Sequence, residues 1–219
     1  MSLTRVLANL RQMGWEPKHI LDLGARTGDW TRECMKTYPE ASYTLIDAIK
    51  FDNLKAFDRN PRVSCMYALV SDEVKECDWY ELRNSGDSMY KEVTAHFKGV
   101  APVRRTTTTL DRLFPVETMF DLIKIDCQGA ELPILRGGRR LAQNADVIIM
   151  ELPFMGRYNE GVATFAEHIA YMDSIGFAPF DISERHEAAG VLFQVDVVFL
   201  NKTHAVNAHA QSLINALGS

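Results

Sequence analysis

Hydrophobic and polar positions along the chain alternate between strand-like runs and helical repeats. Short apolar runs predict strands at His19–Leu23, Ser42–Asp47, Val63–Val70 and Ala145–Glu151. Apolar residues that recur every three or four positions predict helices between them, such as Val162–Ile175. Strands separated by helices require crossover connections. We therefore predict an α/β fold with a mostly parallel sheet that is buried on both faces.

The last part of the chain departs from this alternation. Phe177–Ile182 and Gly190–Leu200 are both strand-like and no helical pattern separates them, so we expect a closing strand antiparallel to its neighbour. The apolar residues of the terminal helix could cover the sheet or a partner subunit, which leaves a homo-oligomer open. We predict a single domain over residues 1–219, with an N-terminal helix at 1–14, an insertion at 83–108 and a C-terminal helix at 203–219.

Composition narrows the class of protein. The 219 residues are 47% hydrophobic and 24% charged, as in globular domains, and the formal charge of −5 disfavours a dedicated nucleic-acid binder. The longest apolar runs are far shorter than the ~20 residues of a membrane helix, and the start lacks the apolar segment of a signal peptide. Four scattered cysteines predict neither a disulfide framework nor a zinc site, so we expect a reducing cytoplasm.

Polar residues and glycines gather at the carboxyl ends of the predicted strands, where α/β sheets bind ligands. The first strand runs into Gly24 and Gly28, which permit a tight turn, but Arg26 stands where a dinucleotide fingerprint has glycine. A smaller adenosine ligand suits this turn better. Asp47, nineteen positions after Gly28, is placed to accept both ribose hydroxyls. The polar pair Ser71-Asp72 after the third strand is suited to an adenine edge.

Two blocks of the sequence carry a resemblance to a known family. Ile20-Leu-Asp-Leu-Gly-Ala-Arg-Thr-Gly-Asp-Trp-Thr31 and Asp121-Leu-Ile-Lys-Ile-Asp-Cys-Gln-Gly-Ala-Glu-Leu-Pro-Ile-Leu-Arg-Gly137 resemble the FkbM-type S-adenosylmethionine-dependent methyltransferases, and the similarity extends over about residues 19–200. The resemblance implies a seven-stranded Rossmann-like methyltransferase fold and O-methylation of sugars or natural-product hydroxyls. The chain differs from the usual family pattern at Cys127-Gln128, where Val-Glu is usual, and at Asp47-Ala48, where Glu-Pro is common.

The resemblance also implies a cofactor site for S-adenosylmethionine. Gly24, Ala25 and Gly28 would line the methionine end of the cofactor, and Asp47 would bind its ribose. The complete predicted cofactor-binding set is Asp22, Gly24, Ala25, Arg26, Gly28, Asp47, Ser71, Asp72 and Asp126.

Three acids at adjoining strand ends are the predicted catalytic residues. Methyl transfer from a sulfonium to a hydroxyl needs alignment of the reacting atoms and removal of a proton. Asp126 ends the fourth strand, Glu131 lies in the first turn of the next helix, and Glu151 ends the fifth strand. Lys124, inside a buried strand, should pair with a neighbouring carboxylate. The three acids could equally hold a divalent metal, but spacing alone does not define ligand geometry, so we assign no metal ligand.

The polar stretch 84–92 is the predicted acceptor-binding segment. Tyr90 could stack on a sugar ring, Asp87 could bind hydroxyls, and Glu92 completes the predicted substrate-binding set. His96 and His186 are candidate bases. We expect a small-molecule or sugar acceptor, with neither nucleic acid nor membrane as partner.

Two alternatives to a methyltransferase remain open at this point. A nicotinamide-dependent oxidoreductase could share the topology, although the third glycine that its cofactor loop needs is missing. A methyltransferase-like domain could also bind its ligand or a partner protein without turnover. The carboxylates at the strand ends argue against such a loss of activity.

Overall fold

Eleven strands and seven helices alternate along residues 2–217, the part of the chain that the computed structural model describes, apart from the side chain of His96. The strands are β1 His19–Leu23, β2 Ser42–Asp47, β3 Val63–Tyr67, β4 Val70–Ser71, β5 Glu76–Trp79, β6 Val103–Thr106, β7 Thr108–Thr109, β8 Leu122–Ile125, β9 Val147–Pro153, β10 Phe177–Ala188 and β11 Val191–Asn201. The helices are α1 Leu3–Gln12, α2 Asp29–Thr37, α3 Leu110–Leu113, α4 Glu131–Gly137, α5 Arg139–Asn144, α6 Phe165–Ser174 and α7 Ala205–Ala216, with short 3₁₀ helices at Asp52–Phe57 and Ala95–Phe97.

Seven of these strands form the central sheet, in the order β10-β11-β9-β8-β1-β2-β3. Every pair from β9 to β3 is parallel, whereas β11 runs antiparallel to both β9 and β10. This confirms the predicted α/β class with one antiparallel strand. That strand lies inside the sheet rather than at its edge, because it inserts between β9 and β10.

Helices cover both faces of the sheet. On one face α3, α4, α5 and α6 pack against alternate strand residues such as Ile123, Ile125 and Ile148. On the other face α1, α2 and α7 pack against residues such as Leu122 and Ile149. This alternation follows from the two-residue period of strands and produces a three-layer structure. None of the helices within residues 2–217 has the length and apolarity needed to cross a lipid bilayer.

The terminal helix α7 covers the sheet through its N-terminal half, where Val206 and Ala210 pack against the core. Val206 is buried in the core, while Leu213, Ile214 and Leu217 are exposed. The apolar residues of this helix are therefore not all used to cover the sheet.

Several element boundaries differ from those that the sequence pattern predicts, and three of the differences follow from packing or strand pairing. The single helix expected after Gly129 is broken between α4 and α5, because Gly138 leaves helical geometry where a Cβ would lie 2.8 Å from Leu110. The third strand ends at Tyr67, and Val70–Ser71 pairs with Thr108–Thr109 instead. The strand expected to end at Ile182 continues to Ala188, because β11 pairs with it along this polar stretch.

The segment 83–108 crosses the carboxyl ends of the parallel strands. Ser88 pairs with Tyr80 and Glu92 pairs with Asn159, which joins this segment to the loop that follows β9. Its end forms β6, the antiparallel partner of β5. The segment thereby becomes a wall above the sheet.

Candidate functional site

A cavity of about 1160 Å³ lies at the carboxyl ends of β1, β2, β8 and β9 and beneath the segment 83–108. Eight of the predicted site residues line it together: Gly24, Ala25, Arg26, Asp47, Asp87, Glu92, Asp126 and Glu151. Six others lie outside its lining: Asp22, Gly28, Ser71, Asp72, Tyr90 and Glu131. The strand ends that the topology brings together thus share one hollow.

Gly24 joins the loop after β1 to the loop after β8. Its φ is +79°, and a Cβ at this position would lie 1.8 Å from the carbonyl oxygen of Asp126. The amides of Gly24 and Ala25 both donate to the carbonyl of Ile46, at 2.9 and 3.2 Å. Only glycine combines this backbone conformation with so close an approach. This turn therefore brings three strand ends into contact.

Gly28 and Asp22 stabilise the same turn from behind the cavity. Gly28 has φ +79° and faces Phe57, whose ring a Cβ would meet at 2.4 Å. Asp22 is buried and accepts a hydrogen bond of 2.5 Å from the Thr31 hydroxyl. Burial raises the pKa of Asp22 to about 6. Asp22 thus connects β1 to α2, and Gly28 lets the start of α2 approach the 3₁₀ helix Asp52–Phe57; neither residue lines the cavity.

Asp47 organises the second strand end. Its two carboxylate oxygens accept from the amides of Arg26 and Ile49, each at 2.7 Å. Burial raises the pKa of Asp47, and these amide hydrogen bonds oppose the rise. Because each carboxylate oxygen can accept more than one hydrogen bond, Asp47 can still bind a ligand hydroxyl from the cavity.

An apolar wall stands beside Asp47 where the sequence predicts polar contacts. Ser71 donates to Asp72 at 3.0 Å, and Asp72 forms an ion pair with Lys75 at 2.9 Å. Neither residue lines the cavity; β4 instead pairs with β7 and lies against α4. The lining here is formed instead by Ala48, Ile49, Phe51, Ala68, Leu69, Val70 and Trp79.

Gln128 connects the polar groups on the opposite side of the cavity. Its amide nitrogen donates to Asp126 at 3.1 Å and to Glu151 at 2.7 Å, and its amide oxygen accepts from the Tyr158 hydroxyl at 2.6 Å. Gln194 in turn donates to the Tyr158 hydroxyl. Neither Gln128 nor Tyr158 is among the predicted site residues. The departure from the family pattern at Cys127-Gln128 was the one sequence signal for this network.

Lys124 supplies the positive charge of this side. Its Nζ lies 3.0 Å from Asp196 and 3.4 Å from Asp126, which confirms the predicted pairing of a buried lysine with carboxylates. Burial raises the pKa of Glu151 well above its usual range, and the nearby Asp126 carboxylate adds to the rise. Asp126 is the more accessible acid, with 35% of its side chain exposed.

Glu131 lies behind the loop after β8. One carboxylate oxygen accepts from the amides of Cys127 and Gly129, at 3.0 and 3.2 Å, and the other has no hydrogen-bond partner within residues 2–217. Burial raises the pKa of Glu131 to about 7. A second cavity of about 20 Å³, large enough for one water molecule, borders this side chain. Glu131 is thus placed to order the loop.

The predicted acceptor-binding residues are divided between the cavity and the core. Asp87 lines the cavity but already accepts from the amides of Leu82 and Asn84, at 2.6 and 3.0 Å. Glu92 also lines the cavity and accepts from the Thr94 hydroxyl. Tyr90 packs against the main core instead.

Of the two candidate histidine bases, His186 is placed at the cavity. Its side chain is 35% exposed. The side chain of His96 lies outside the described residues.

A comparison with models of protein families assigns the chain to one family. The methyltransferase FkbM domain matches residues 22–179. The chain belongs to the FkbM methyltransferase family. This match confirms the resemblance found in the sequence and includes both blocks that carry it, apart from the two residues before Asp22. No curated protein sequence is similar enough to count as a match.

Solved methyltransferase structures share the fold of this FkbM domain. A methyltransferase FkbM from Methylobacillus flagellatus KT has a TM-score of 0.54 at 13% identity, and the alignment covers 82% of this chain and 43% of that one. A 1,6-didemethyltoxoflavin-N1-methyltransferase from Burkholderia thailandensis, solved with its substrate and S-adenosylhomocysteine, has a TM-score of 0.51 at 14% identity and coverages of 90% and 77%. An O-methyltransferase family protein from the same organism has a TM-score of 0.51 at 10% identity and coverages of 91% and 55%. The present chain therefore spans less than half of the M. flagellatus protein.

Proposed function

We propose that this FkbM domain is an S-adenosylmethionine-dependent methyltransferase that O-methylates a hydroxyl of a small molecule or sugar. The observation that carries the proposal is that one cavity contains Asp47 at one side and Asp126 with Glu151 at the other. A volume of about 1160 Å³ is enough for a cofactor together with a small acceptor. The free cysteines fit a reducing, cytoplasmic compartment.

The cofactor would occupy the side of the cavity nearest β1 and β2. Asp47 would accept the ribose hydroxyls, and the loop from Gly24 to Arg26 would contact the methionine end. The adenine would lie against the apolar wall that includes Ile49 and Leu69. The bound S-adenosylhomocysteine in the B. thailandensis N1-methyltransferase supports this class of cofactor.

The acceptor would lie between the cofactor methyl group and the polar groups at the ends of β8 and β9. Its hydroxyl oxygen would attack the methyl carbon in line with the breaking carbon–sulfur bond. The sulfonium would leave as a neutral thioether, and the hydroxyl proton would pass to a base. The products are a methyl ether, S-adenosylhomocysteine and the protonated base.

Asp126 is the base that the geometry favours. It faces the cavity, and its two carboxylate oxygens contact Lys124 and Gln128, at 3.4 and 3.1 Å. Glu151 is more deeply buried, and its raised pKa favours the protonated form. Glu151 would therefore help to position the acceptor through Gln128, while Glu131 would hold the loop after β8.

Cofactor binding is tested by calorimetry with S-adenosylmethionine on the full chain. We expect Asp47→Ala to weaken affinity by about ten- to hundredfold, because a hydrogen bond to a charged group contributes roughly 1.5–3 kcal/mol. Asp52→Ala, which removes an exposed acid from the 3₁₀ helix after β2, is the matched control and should leave affinity unchanged. Unchanged affinity in Asp47→Ala would reject the ribose assignment. Binding of NADH in preference to S-adenosylmethionine would favour the oxidoreductase alternative.

Turnover is tested with a panel of hydroxylated small molecules and sugars, by following S-adenosylhomocysteine and the methylated product. We expect Asp126→Asn to bind the cofactor normally but to methylate about 100-fold or more slowly, the usual effect of removing a general base. Asp173→Asn, on the exposed surface of α6, should behave as the unchanged chain. Near-normal turnover in Asp126→Asn would remove Asp126 as the base, and a product methylated only on nitrogen would contradict O-methylation.

A further inference from the structure

Glu151, His186 and Asp196 come together from three adjacent strands. Asp196 on β11 is directly opposite Glu151 on β9, and His186 on β10 reaches the same point from the other side. One ligand atom of each residue lies within 4.8 Å of the others. The register of β10 against β11 shifts on both sides of this region, and such bulges re-aim side chains near functional sites.

The spacing of these atoms matches a cation site. His186 Nε2 lies 3.8 Å from Glu151 Oε1 and 3.8 Å from Asp196 Oδ1, too far for hydrogen bonds. The remaining separation, between the Glu151 and Asp196 oxygens, is at most 4.8 Å. A cation among the three atoms can therefore approach each of them to roughly 2.0–2.5 Å, which spans the metal–nitrogen and metal–oxygen bond lengths in proteins.

A buried oxygen atom points into this space without a partner. Asp196 Oδ1 has no hydrogen-bond partner within the described part of the chain, although only 5% of the Asp196 side chain is exposed. Lys124 contacts the other oxygen, Oδ2, at 3.0 Å and leaves Oδ1 free. A buried carboxylate oxygen without a donor is costly, and a bound cation would satisfy it.

The charge balance of the cluster also favours a cation. Besides Glu151 and Asp196, the carboxylates of Asp126 and Glu184 lie against Lys124 and His186, respectively. Only one permanent positive charge, that of Lys124, faces these four carboxylates among the ion pairs of the described residues. Glu151 and Asp196 are directly opposite each other across the strands, and a bound cation would offset the repulsion between their ionised forms.

We propose that Glu151, His186 and Asp196 bind a divalent first-row transition metal ion. One imidazole nitrogen and two carboxylate oxygens form a mixed donor set that suits Mn²⁺ or Zn²⁺. Glu151 and His186 line the cavity, so three protein ligands on one side leave coordination positions open towards it. If the proposed methyl transfer is correct, this ion would bind and polarise the acceptor hydroxyl.

Metal binding is tested on the full chain after chelator treatment, without cofactor or acceptor. Mn²⁺ is titrated by electron paramagnetic resonance and Zn²⁺ by calorimetry, and we expect one equivalent of either ion to bind. His186→Ala and Glu151→Gln should each weaken binding about 100-fold, because losing even an outer-shell partner of a metal ligand costs 10–100-fold. Asp196→Asn should do the same, and circular dichroism shows whether this buried variant folds.

The matched control is His204→Ala. His204 also lies near a carboxylate, Asp146, at 3.4 Å, but at the opposite end of the sheet, and its loss should leave metal affinity unchanged. Absence of binding to the unchanged chain would overturn the proposal, as would binding that His186→Ala does not weaken. Because neither titration requires methyl transfer, failure of the metal site and failure of the proposed methyltransferase activity are distinguishable.

Discussion

The two sides of the cavity present their polar groups in different ways. On the side of β1 and β2, backbone amides and apolar side chains form most of the surface, and Asp47 is the carboxylate that organises them. On the side of β8 and β9, Asp126, Gln128, Glu151 and Tyr158 form a connected network of polar side chains, in which Glu151 is buried and the others are partly buried.

Under the proposed function, this difference would separate cofactor binding on the first side from proton transfer on the second. A surface of backbone and apolar groups recognises a ligand by shape and does not titrate. On the side of β8 and β9, burial and the neighbouring Asp126 carboxylate raise the pKa of Glu151. Substitutions on the first side should therefore change folding or cofactor affinity, and substitutions on the second should change turnover or the pH dependence of stability.

The largest expected effect is that of Gly24→Ala on the first side. The new Cβ would lie 1.8 Å from the Asp126 carbonyl oxygen with φ at +79°, so the loop after β8 must move. We expect a loss of about 4 kcal/mol or more in the free energy of unfolding, measured with urea. Gly176→Ala is the control, because its φ is +92° but nothing lies within 4 Å of its Cβ, and it should cost about 1 kcal/mol. Equal losses in the two variants would show that the close approach of the two loops is unimportant.

Glu131→Gln should change the pH dependence of stability. The folded-state pKa of Glu131 is raised from 4.5 to about 7, so the unfolded chain releases this proton first, and stability falls as pH rises between these values. The amide keeps the oxygen that accepts from Cys127 and Gly129 but cannot ionise. We expect Glu131→Gln to gain about 3 kcal/mol relative to the unchanged chain between pH 4 and pH 8.

The measurement is urea unfolding of both proteins at a series of pH values. Asp22, whose pKa is raised to about 6, titrates in both proteins, so its effect cancels in the difference. A difference in stability that stays constant with pH would contradict the raised pKa of Glu131.

The smallest expected effect is that of Tyr158→Phe on the second side. This variant removes the hydroxyl that donates to Gln128 at 2.6 Å, and it should cost about 1 kcal/mol of stability. If the proposed function is correct, turnover should fall about tenfold with unchanged affinity for S-adenosylmethionine, because the network and not the cofactor side is altered. Tyr67→Phe, at an exposed position of β3, is the control. A loss of cofactor affinity in Tyr158→Phe would contradict the assignment of cofactor binding to the side of β1 and β2 alone.

Local patterns predict much of the fold and part of the site. The bounds of β1 and β2 match the prediction residue for residue, because apolar runs flanked by turn residues define strands locally. Asp47 and Asp126 are brought to one cavity because parallel strands end at the same edge of the sheet. In contrast, the polar end of β10 forms a strand because it pairs with β11. No local sequence pattern predicts this pairing.

The residues whose placement differs from expectation owe it to contacts between distant segments. Ser71 lies outside the cavity lining because β4 packs directly on α4. A Cβ at Gly137 of α4 would lie 2.2 Å from the Ser71 carbonyl oxygen. Tyr90 belongs to the core because it packs beside Gly129 and Val162. The sequence pattern does not single out Asp196, because it is one acid within an apolar strand, and its neighbours are defined by the register of three strands.

The sequence by itself determined the α/β class, the family and the strand ends at which Asp47, Asp126 and Glu151 lie. Spacing and periodicity suffice for these features, because they depend on residues close together in the chain. Only the tertiary structure decided which acids share the cavity, how Gln128 connects them, and that His186 and Asp196 meet Glu151. These contacts join residues tens of positions apart, and they depend on strand register and helix packing, which local sequence leaves open.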